Sequence, residues 1–252
     1  MVERVTSKTN STLQTVKKLI TSRKYRYERR ALVADGTKLV AEALRWGIRI
    51  ETLILAVGVD FPVPDGVRAL RVPESLMRDV SRMETPQGVL ALCRMPEQEP
   101  VKLSPGCLIL DGIQDPGNLG TILRTADAFE IPVVLADGCA DPWSEKTVRA
   151  SMGAVFRNLP RQLSSEAIRA ACLAQGIPLC VTALSDRAED IRTVPIQTCA
   201  VVIGSEGRGV SPAFLAAADR AAIIPMSPRC ESLNAAVAAT VVLWRLREAR
   251  ER

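Results

Sequence analysis

The chain has 252 residues, 47% hydrophobic and 24% charged, a composition typical of a globular protein and not of a disordered one. It has no histidine, which excludes a Ser-His-Asp or Cys-His catalytic arrangement, and its seven cysteines show no C-x-x-C spacing. We therefore expect neither a disulfide framework nor a metal site. The start lacks an apolar signal region and the longest apolar run is too short to cross a bilayer, so we expect a cytoplasmic protein without membrane contact.

The net charge of +5 is unevenly distributed along the chain. Residues 1–50 carry twelve Lys or Arg against four Asp or Glu, a local charge of +8, so the rest of the chain sums to −3. A basic region on a nearly neutral body is typical of a protein that docks on phosphates. A solvated basic face would show the same charge, so this alternative stays open.

The first predicted helix spans residues 11–22, where apolar positions recur on one face beside two lysines. The basic segment 23–30 follows and contains two tyrosines, which suits both phosphate contact and base stacking. We predict RNA contacts here by five cations: Arg23, Lys24, Arg26, Arg29 and Arg30.

A second predicted helix over residues 37–46 ends at Gly47, and strands over 50–56 and 88–93 complete a small α/β module. A proline-rich stretch without amphipathic period then indicates a linker. We place the N-terminal domain at 1–95, the linker at 96–106 and the C-terminal domain at 107–252.

From residue 107 onward, short apolar strands alternate with helical patterns. This alternation predicts a parallel sheet covered by helices. The predicted helices span 119–129, 144–151, 165–175 and about 232–250.

The first segment that could carry chemistry follows a buried-looking strand and contains Asn118 and Arg124. In an α/β sheet, ligands bind at the loops that follow the carboxyl ends of the strands. Arg124 alternates with apolar residues, which is compatible with a guanidinium facing a cleft. A structural pair with Asp127, three residues on, explains it equally well.

Two further strand-loop-helix segments contain polar side chains at the same predicted edge. The glycine-rich loop beginning at Gly204 lets backbone groups approach a ligand, although Glu206 on it is equally compatible with simple solvation. Ser232 and Asn234 stand on the first predicted turn of the last helix. Helix capping explains one of them, and the second indicates a site.

In order and spacing, these segments resemble the SpoU family of ribose methyltransferases. The residues that carry the resemblance are Asp111, Asp115, Pro116, Asn118, Gly120, Arg124, Gly204–Gly207, Ile224–Met226 and Glu231–Asn234, with a softer match at Lys146, Arg149 and Gly153. The first ninety or so residues resemble the family's substrate-binding domain. The chain departs from the family pattern at Glu130, near which the family commonly has glycine.

The resemblance implies an α/β fold with a deep trefoil knot in the C-terminal parallel-sheet domain and a small N-terminal substrate-binding domain. It implies that a homodimer, whose active site is shared between subunits, methylates the 2′-oxygen of a ribose in RNA. We expect ribosomal RNA as the substrate in preference to transfer RNA. The implied cofactor is S-adenosylmethionine. Its implied contacts are Ala183, Leu184, Gly204, Ile224, Met226 and Leu233.

The resemblance also assigns roles to the polar residues. Arg124 would activate the ribose oxygen, and Arg149 would hold a substrate phosphate. The orienting residues would be Asn118, Glu206, Ser232 and Asn234. Two alternatives stay open. The first is an RNA-binding protein without catalysis, which the retained polar residues argue against. The second is a nucleotide-binding α/β enzyme of another class, which the absence of a G-x-G-x-x-G motif and of a P-loop argues against.

Overall fold

A computed structural model describes residues 2–97, 103–183 and 188–251. The chain forms two compact units: an N-terminal unit of Met1–Glu97 with Asp141–Phe156, and a C-terminal unit of Gln98–Ala140 with Arg157–Arg252. The predicted division placed residues 141–156 with the C-terminal domain, whereas the structure packs them with the N-terminal residues. The boundary at 96–106 itself stays a prediction. None of the helices in the described ranges is long and apolar enough to span a membrane.

The first part of the N-terminal unit alternates strands and helices around a mixed sheet. Its elements are β1 (Val2–Arg4), α1 (Ser11–Thr21), α2 (Arg23–Arg29), β2 (Ala31–Asp35), α3 (Thr37–Arg45), β3 (Ile50–Ala56), β4 (Arg68–Val72), α4 (Glu74–Val80) and β5 (Val89–Arg94). The strand order is β1-β4-β3-β5-β2. Strand β5 runs antiparallel to β2 and β3, and the other pairs are parallel.

Local sequence explains why α1 begins where it does. The Asn10 side chain accepts hydrogen bonds from the backbone N–H groups of Thr12 and Leu13, at 3.0 and 3.3 Å, and so caps the helix. Leu13 and Val16 then lie buried against the sheet. The predicted helices over 11–22 and 37–46 and the strand over 50–56 are confirmed.

Within the described residues, the remainder of the chain has thirteen α-helices and strands and one short 3-10 helix (Ile196–Thr198). The α-helices and strands are β6 (Leu108–Leu110), α5 (Pro116–Ala128), β7 (Val133–Leu135), α6 (Glu145–Ala150), α7 (Ala154–Arg157), β8 (Arg161–Gln162), α8 (Ser165–Gln175), β9 (Leu179–Thr182), β10 (Glu189–Asp190), β11 (Ala200–Ile203), α9 (Pro212–Ala217), β12 (Arg220–Ile223) and α10 (Ala235–Glu251).

The second sheet has the order β10-β12-β9-β11-β6-β7-β8, and all its strand pairs are parallel. Its central strands β6 and β11 are fully buried and uniformly apolar, as expected of a parallel sheet covered on both faces. The predicted parallel sheet is thus confirmed. The three loops that contain the candidate site follow β6, β11 and β12, at the carboxyl edge of this sheet.

Candidate active site

The centre of the candidate site is the carboxylate of Glu206. Its Oε1 atom accepts three hydrogen bonds: from Asn118 Nδ2 at 2.9 Å, from Asn234 Nδ2 at 2.5 Å and from the backbone N–H of Ala235 at 2.9 Å. Asn234 Nδ2 also lies 3.2 Å from Asn118 Oδ1. The structure therefore brings together Asn118, Glu206 and Asn234, which lie far apart in the sequence.

Helix capping fixes two members of this network. Asp115 caps α5 by accepting a hydrogen bond from the backbone N–H of Asn118 at 2.8 Å. Asn234 precedes α10, and its Oδ1 accepts from the backbone N–H groups of Ala236 and Val237 at 2.9 and 3.3 Å. The last helix begins at Ala235 and not at the predicted residue 232, because Asn234 is its cap.

The glycine-rich loop that carries Glu206 is tightly folded. Ser205 and Gly209 exchange two backbone hydrogen bonds, at 3.1 and 2.8 Å. A Cβ atom at Gly204 would lie 2.0 Å from the carbonyl carbon of Gly209, so only glycine fits at this position. The buried carboxylate of Asp111 accepts a hydrogen bond from the backbone N–H of Ser211 at 2.7 Å and anchors the far end of the loop.

A cavity of about 390 Å³ opens beside this loop. Its lining includes five of the predicted cofactor contacts, Ala183, Gly204, Ile224, Met226 and Leu233. The sixth, Leu184, lies outside the described residues. Ser232 and Glu206 also line the cavity.

The residues of this cavity fit S-adenosylmethionine. The volume is within the range of small-molecule sites, and apolar side chains form much of the wall. Gly204, which has no side chain, contributes backbone atoms to the cavity wall. The carboxylates of Glu206 and Glu231 supply negative charge toward a cationic ligand such as a sulfonium.

A second cavity of about 250 Å³ is lined by Gln114, Asn118, Glu206 and Arg208, among others. Glu206 and Arg208 line both cavities, so Glu206 forms part of the wall of each. The sequence reading identified this loop but missed Arg208 and Gln114. The sequence signal that could have identified them is their position: Arg208 lies in the glycine-rich loop, and Gln114 lies just before α5.

Arg124 is exposed on α5 and lines neither of the two cavities. The alternative pairing with Asp127 is wrong, because Asp127 pairs with Arg157 at 2.8 Å. Within the described part of the chain, no ion pair engages Arg124. Neither of these cavities of a single chain therefore brings Arg124 together with Asn118 and Glu206.

Arg26 was predicted to contact RNA, and this prediction is wrong. The residue is only 5% exposed, and its guanidinium pairs with Asp141 at 2.6 Å. It also donates to the backbone carbonyls of Leu19 and Ile20. Arg26 is thus a structural cation that joins α2 to the start of segment 141–156.

The other predicted RNA contacts are accessible. Arg23, Lys24, Arg29 and Arg30 are exposed on and after α2. Arg149 on α6 is partly exposed and forms an ion pair with the buried Glu145. Burial raises the pKa of the Glu145 carboxyl, and the Arg149 guanidinium opposes that shift.

Comparison with known proteins supports the predicted chemistry. The SpoU rRNA Methylase family matches residues 105–244, and the MRM3-like substrate binding domain matches residues 10–91. The chain is 33% identical to the 23S rRNA (guanosine(2553)-2′-O)-methyltransferase RlmP of Bacillus subtilis, over 98% of this chain and 100% of that protein.

It is 29% identical to human mitochondrial rRNA methyltransferase 3, over 92% of this chain and 71% of that protein. Among solved structures, the AdoMet-bound rRNA methyltransferase from Sinorhizobium meliloti matches with a TM-score of 0.87 and 32% identity, over 98% of both chains. The similarity therefore spans both compact units.

Proposed function

The chain belongs to the SpoU rRNA methylase family, and we propose that it methylates the 2′-oxygen of a ribose in ribosomal RNA with S-adenosylmethionine as methyl donor. The observation that carries this proposal is the network of Asn118, Glu206 and Asn234 between two adjoining cavities. One cavity suits the cofactor, and the other leaves space for a nucleotide beside it.

S-adenosylmethionine supplies a methyl group on a sulfonium sulfur, which an oxygen nucleophile displaces. The protein must hold the ribose oxygen in line with that methyl group, since orientation accounts for a large part of such a barrier. Glu206 engages its network through Oε1. Among the described residues no hydrogen bond engages Oε2, which can therefore accept one from a ribose hydroxyl. Asn118 and Ser232 complete the orienting groups, one in each cavity.

Arg124 is proposed to stabilise the negative charge that develops on the ribose oxygen. A guanidinium is a permanent hydrogen-bond donor, so it acts by electrostatic stabilisation more readily than as a base. Since Arg124 lines neither cavity of its own chain, we assign it to the site of the partner in a homodimer.

An exposed apolar face supports the homodimer. Helix α5, which carries Arg124, packs against α10. On α10, Val237 and Trp244 are seven residues apart and so lie on one face, with 50% and 59% of their surface exposed. Phe129 meets the Trp244 ring edge-on at 5.8 Å. Large apolar side chains exposed together mark an interaction surface, and a second copy of this chain is the proposed occupant.

The exposed cations of α2 and Arg149 are proposed to contact RNA phosphates. The trefoil knot and the cytoplasmic location stay predictions.

The test is to incubate the purified protein with radiolabelled S-adenosylmethionine and ribosomal RNA from a strain that lacks the gene. We expect label on the 2′-oxygen of one mapped ribose in ribosomal RNA, with transfer RNA from the same strain unlabelled. Calorimetry of cofactor binding runs alongside. Cofactor binding without label in either RNA would overturn the proposal. Label in transfer RNA alone would show that transfer RNA, and not ribosomal RNA, is the substrate.

A further inference from the structure

The two tyrosines of the basic segment are committed to contacts inside the N-terminal unit. Tyr25 packs against the apolar core, and the ammonium of Lys18 lies 5.7 Å from its ring centroid. The Tyr27 hydroxyl donates to Asp141 at 3.2 Å, and the Arg23 guanidinium lies 5.6 Å from its ring centroid. An RNA base that stacks on this unit would therefore need a different aromatic side chain.

Trp46 provides such a side chain. It follows the last residue of α3, and 47% of its surface is exposed. Arg45 precedes it and Arg49 follows it, and both are exposed. Because consecutive Cα atoms are 3.8 Å apart, the Cα atoms of Trp46 and Arg49 lie within about 11 Å of each other.

Strand pairing brings more arginines to the same end of the sheet. The backbone N–H of Arg94, at the end of β5, donates to the carbonyl of Arg49, just before β3, at 2.8 Å. The Arg94 guanidinium lies 3.3 Å from Glu51, and that of Arg29 lies 3.6 Å from the same carboxylate. Arg29 of α2 and Arg94 of β5 thus meet around one glutamate, and the backbone of Arg49, just before β3, is hydrogen-bonded to that of Arg94.

The resulting surface, which we call the arginine–tryptophan patch, is strongly basic. It consists of Arg29, Arg30, Arg45, Trp46, Arg49 and Arg94. Among the described residues, the ion pairs of these arginines involve two carboxylates, Glu51 and Glu97. Five guanidinium groups against two carboxylates leave a net positive surface with an indole within it.

We propose that the arginine–tryptophan patch binds single-stranded RNA, with an unpaired base stacked on Trp46 and the flanking phosphates held by the arginines. Sequence-tolerant binding of single strands combines these two elements, a basic surface and an exposed aromatic face. The proposal rests on the proposed function and adds a surface of the N-terminal unit that recognises the substrate RNA.

The experiment measures binding of fluorescein-labelled single-stranded polyuridine to the full-length protein by anisotropy. Trp46→Ala is expected to weaken binding about 5- to 140-fold, the loss expected for one stacked base, and Trp46→Phe is expected to retain most of the affinity. Replacing both Arg45 and Arg49 by Ala should lower the slope of log affinity against log salt by about 1.4, or about 0.7 per lost phosphate contact. The matched control replaces Lys8 and Arg78, two exposed cations of the same unit, and should leave the slope unchanged.

Three results would overturn the patch. Unchanged affinity of Trp46→Ala would exclude stacking, and equal Trp46 dependence with a duplex of the same length would exclude an unpaired base. Dissociation of the dimer by Trp46→Ala would make the patch a protein interface. Methylation of ribosomal RNA by the same wild-type preparation separates the two proposals. If the protein methylates the RNA and any of these three results is found, only the patch is rejected. If it does not methylate the RNA, the proposed function is rejected, whatever the result of the polyuridine binding experiment.

Discussion

If Arg124 serves the partner's site, two inactive variants should restore each other's activity in a mixed dimer. Arg124→Ala removes the cation and leaves the cavities intact, since Arg124 lines neither of them. Glu206→Ala removes the acceptor of three hydrogen bonds and leaves Arg124 in place. Each homodimer is expected to lose methylation by about 10²-fold or more, as when a positioned electrostatic group is removed.

Refolding or coexpressing the two variants in equal amounts gives about half heterodimers by random pairing in a two-fold dimer. In each heterodimer, one site combines the intact Glu206 of one subunit with the intact Arg124 of the other. About a quarter of the wild-type sites is therefore restored, and methylation should recover to about a quarter of the wild-type rate.

Single-turnover methylation of the mapped RNA is the assay, and Thr121→Ala, an exposed position of the same helix, is the control for α5. Recovery no greater than the sum of the two variants would refute action between subunits. Near-normal activity of the Arg124→Ala homodimer would refute the role of Arg124 altogether.

Three further substitutions test the structure. Trp244→Glu places a carboxylate on the exposed apolar face of α10, so the protein should sediment as a monomer with little activity; an active dimer would reject this interface. Arg26→Ala leaves the buried Asp141 carboxylate without its cationic partner and should lower the free energy of unfolding by about 3–5 kcal/mol. In the same chemical denaturation experiment, the exposed Lys24→Ala should lower it by about 0.5 kcal/mol or less. Glu130 has a φ of 55°, so Glu130→Gly should be more stable than Glu130→Ala by about 1 kcal/mol; equal stability would contradict the backbone strain.

The parallel sheet and its three polar loops could be predicted from the sequence because their signals are local. A short apolar strand followed by polar residues and a helical pattern is visible within about twenty residues, in line with the size of a strand-loop-helix unit. The cofactor contacts required the family resemblance, since cavity-lining residues such as Ala183 and Ile224 have no distinctive pattern of their own.

Other features depend on contacts that no local pattern contains. The burial of Arg26 depends on Asp141, 115 residues away, so a basic segment that looked uniformly exposed contains one structural cation. The packing of α6 against β2, equally invisible in the local sequence, places segment 141–156 in the N-terminal unit. Helix α4 is only seven residues long and β4 only five, too short for periodicity to distinguish them from loops.

Asn234 shows how one side chain can serve the fold and the site at once. Its Oδ1 caps α10 through Ala236 and Val237, while its Nδ2 donates to Glu206 at 2.5 Å. Asn234→Asp keeps the capping oxygen but replaces the donor by a second carboxylate beside Glu206. Helix stability should therefore stay near that of wild type, since Asp and Asn cap equally well, while methylation falls sharply through repulsion within the network.

Asn234→Ala is the matched variant, because it removes both functions. It should lose about 1 kcal/mol of stability from the missing cap in addition to losing activity. Denaturation and single-turnover methylation of the two variants separate the roles. An Asn234→Asp protein that methylates normally would show that the amide acts only as a cap, and that Glu206 is positioned by Asn118 and the Ala235 backbone alone.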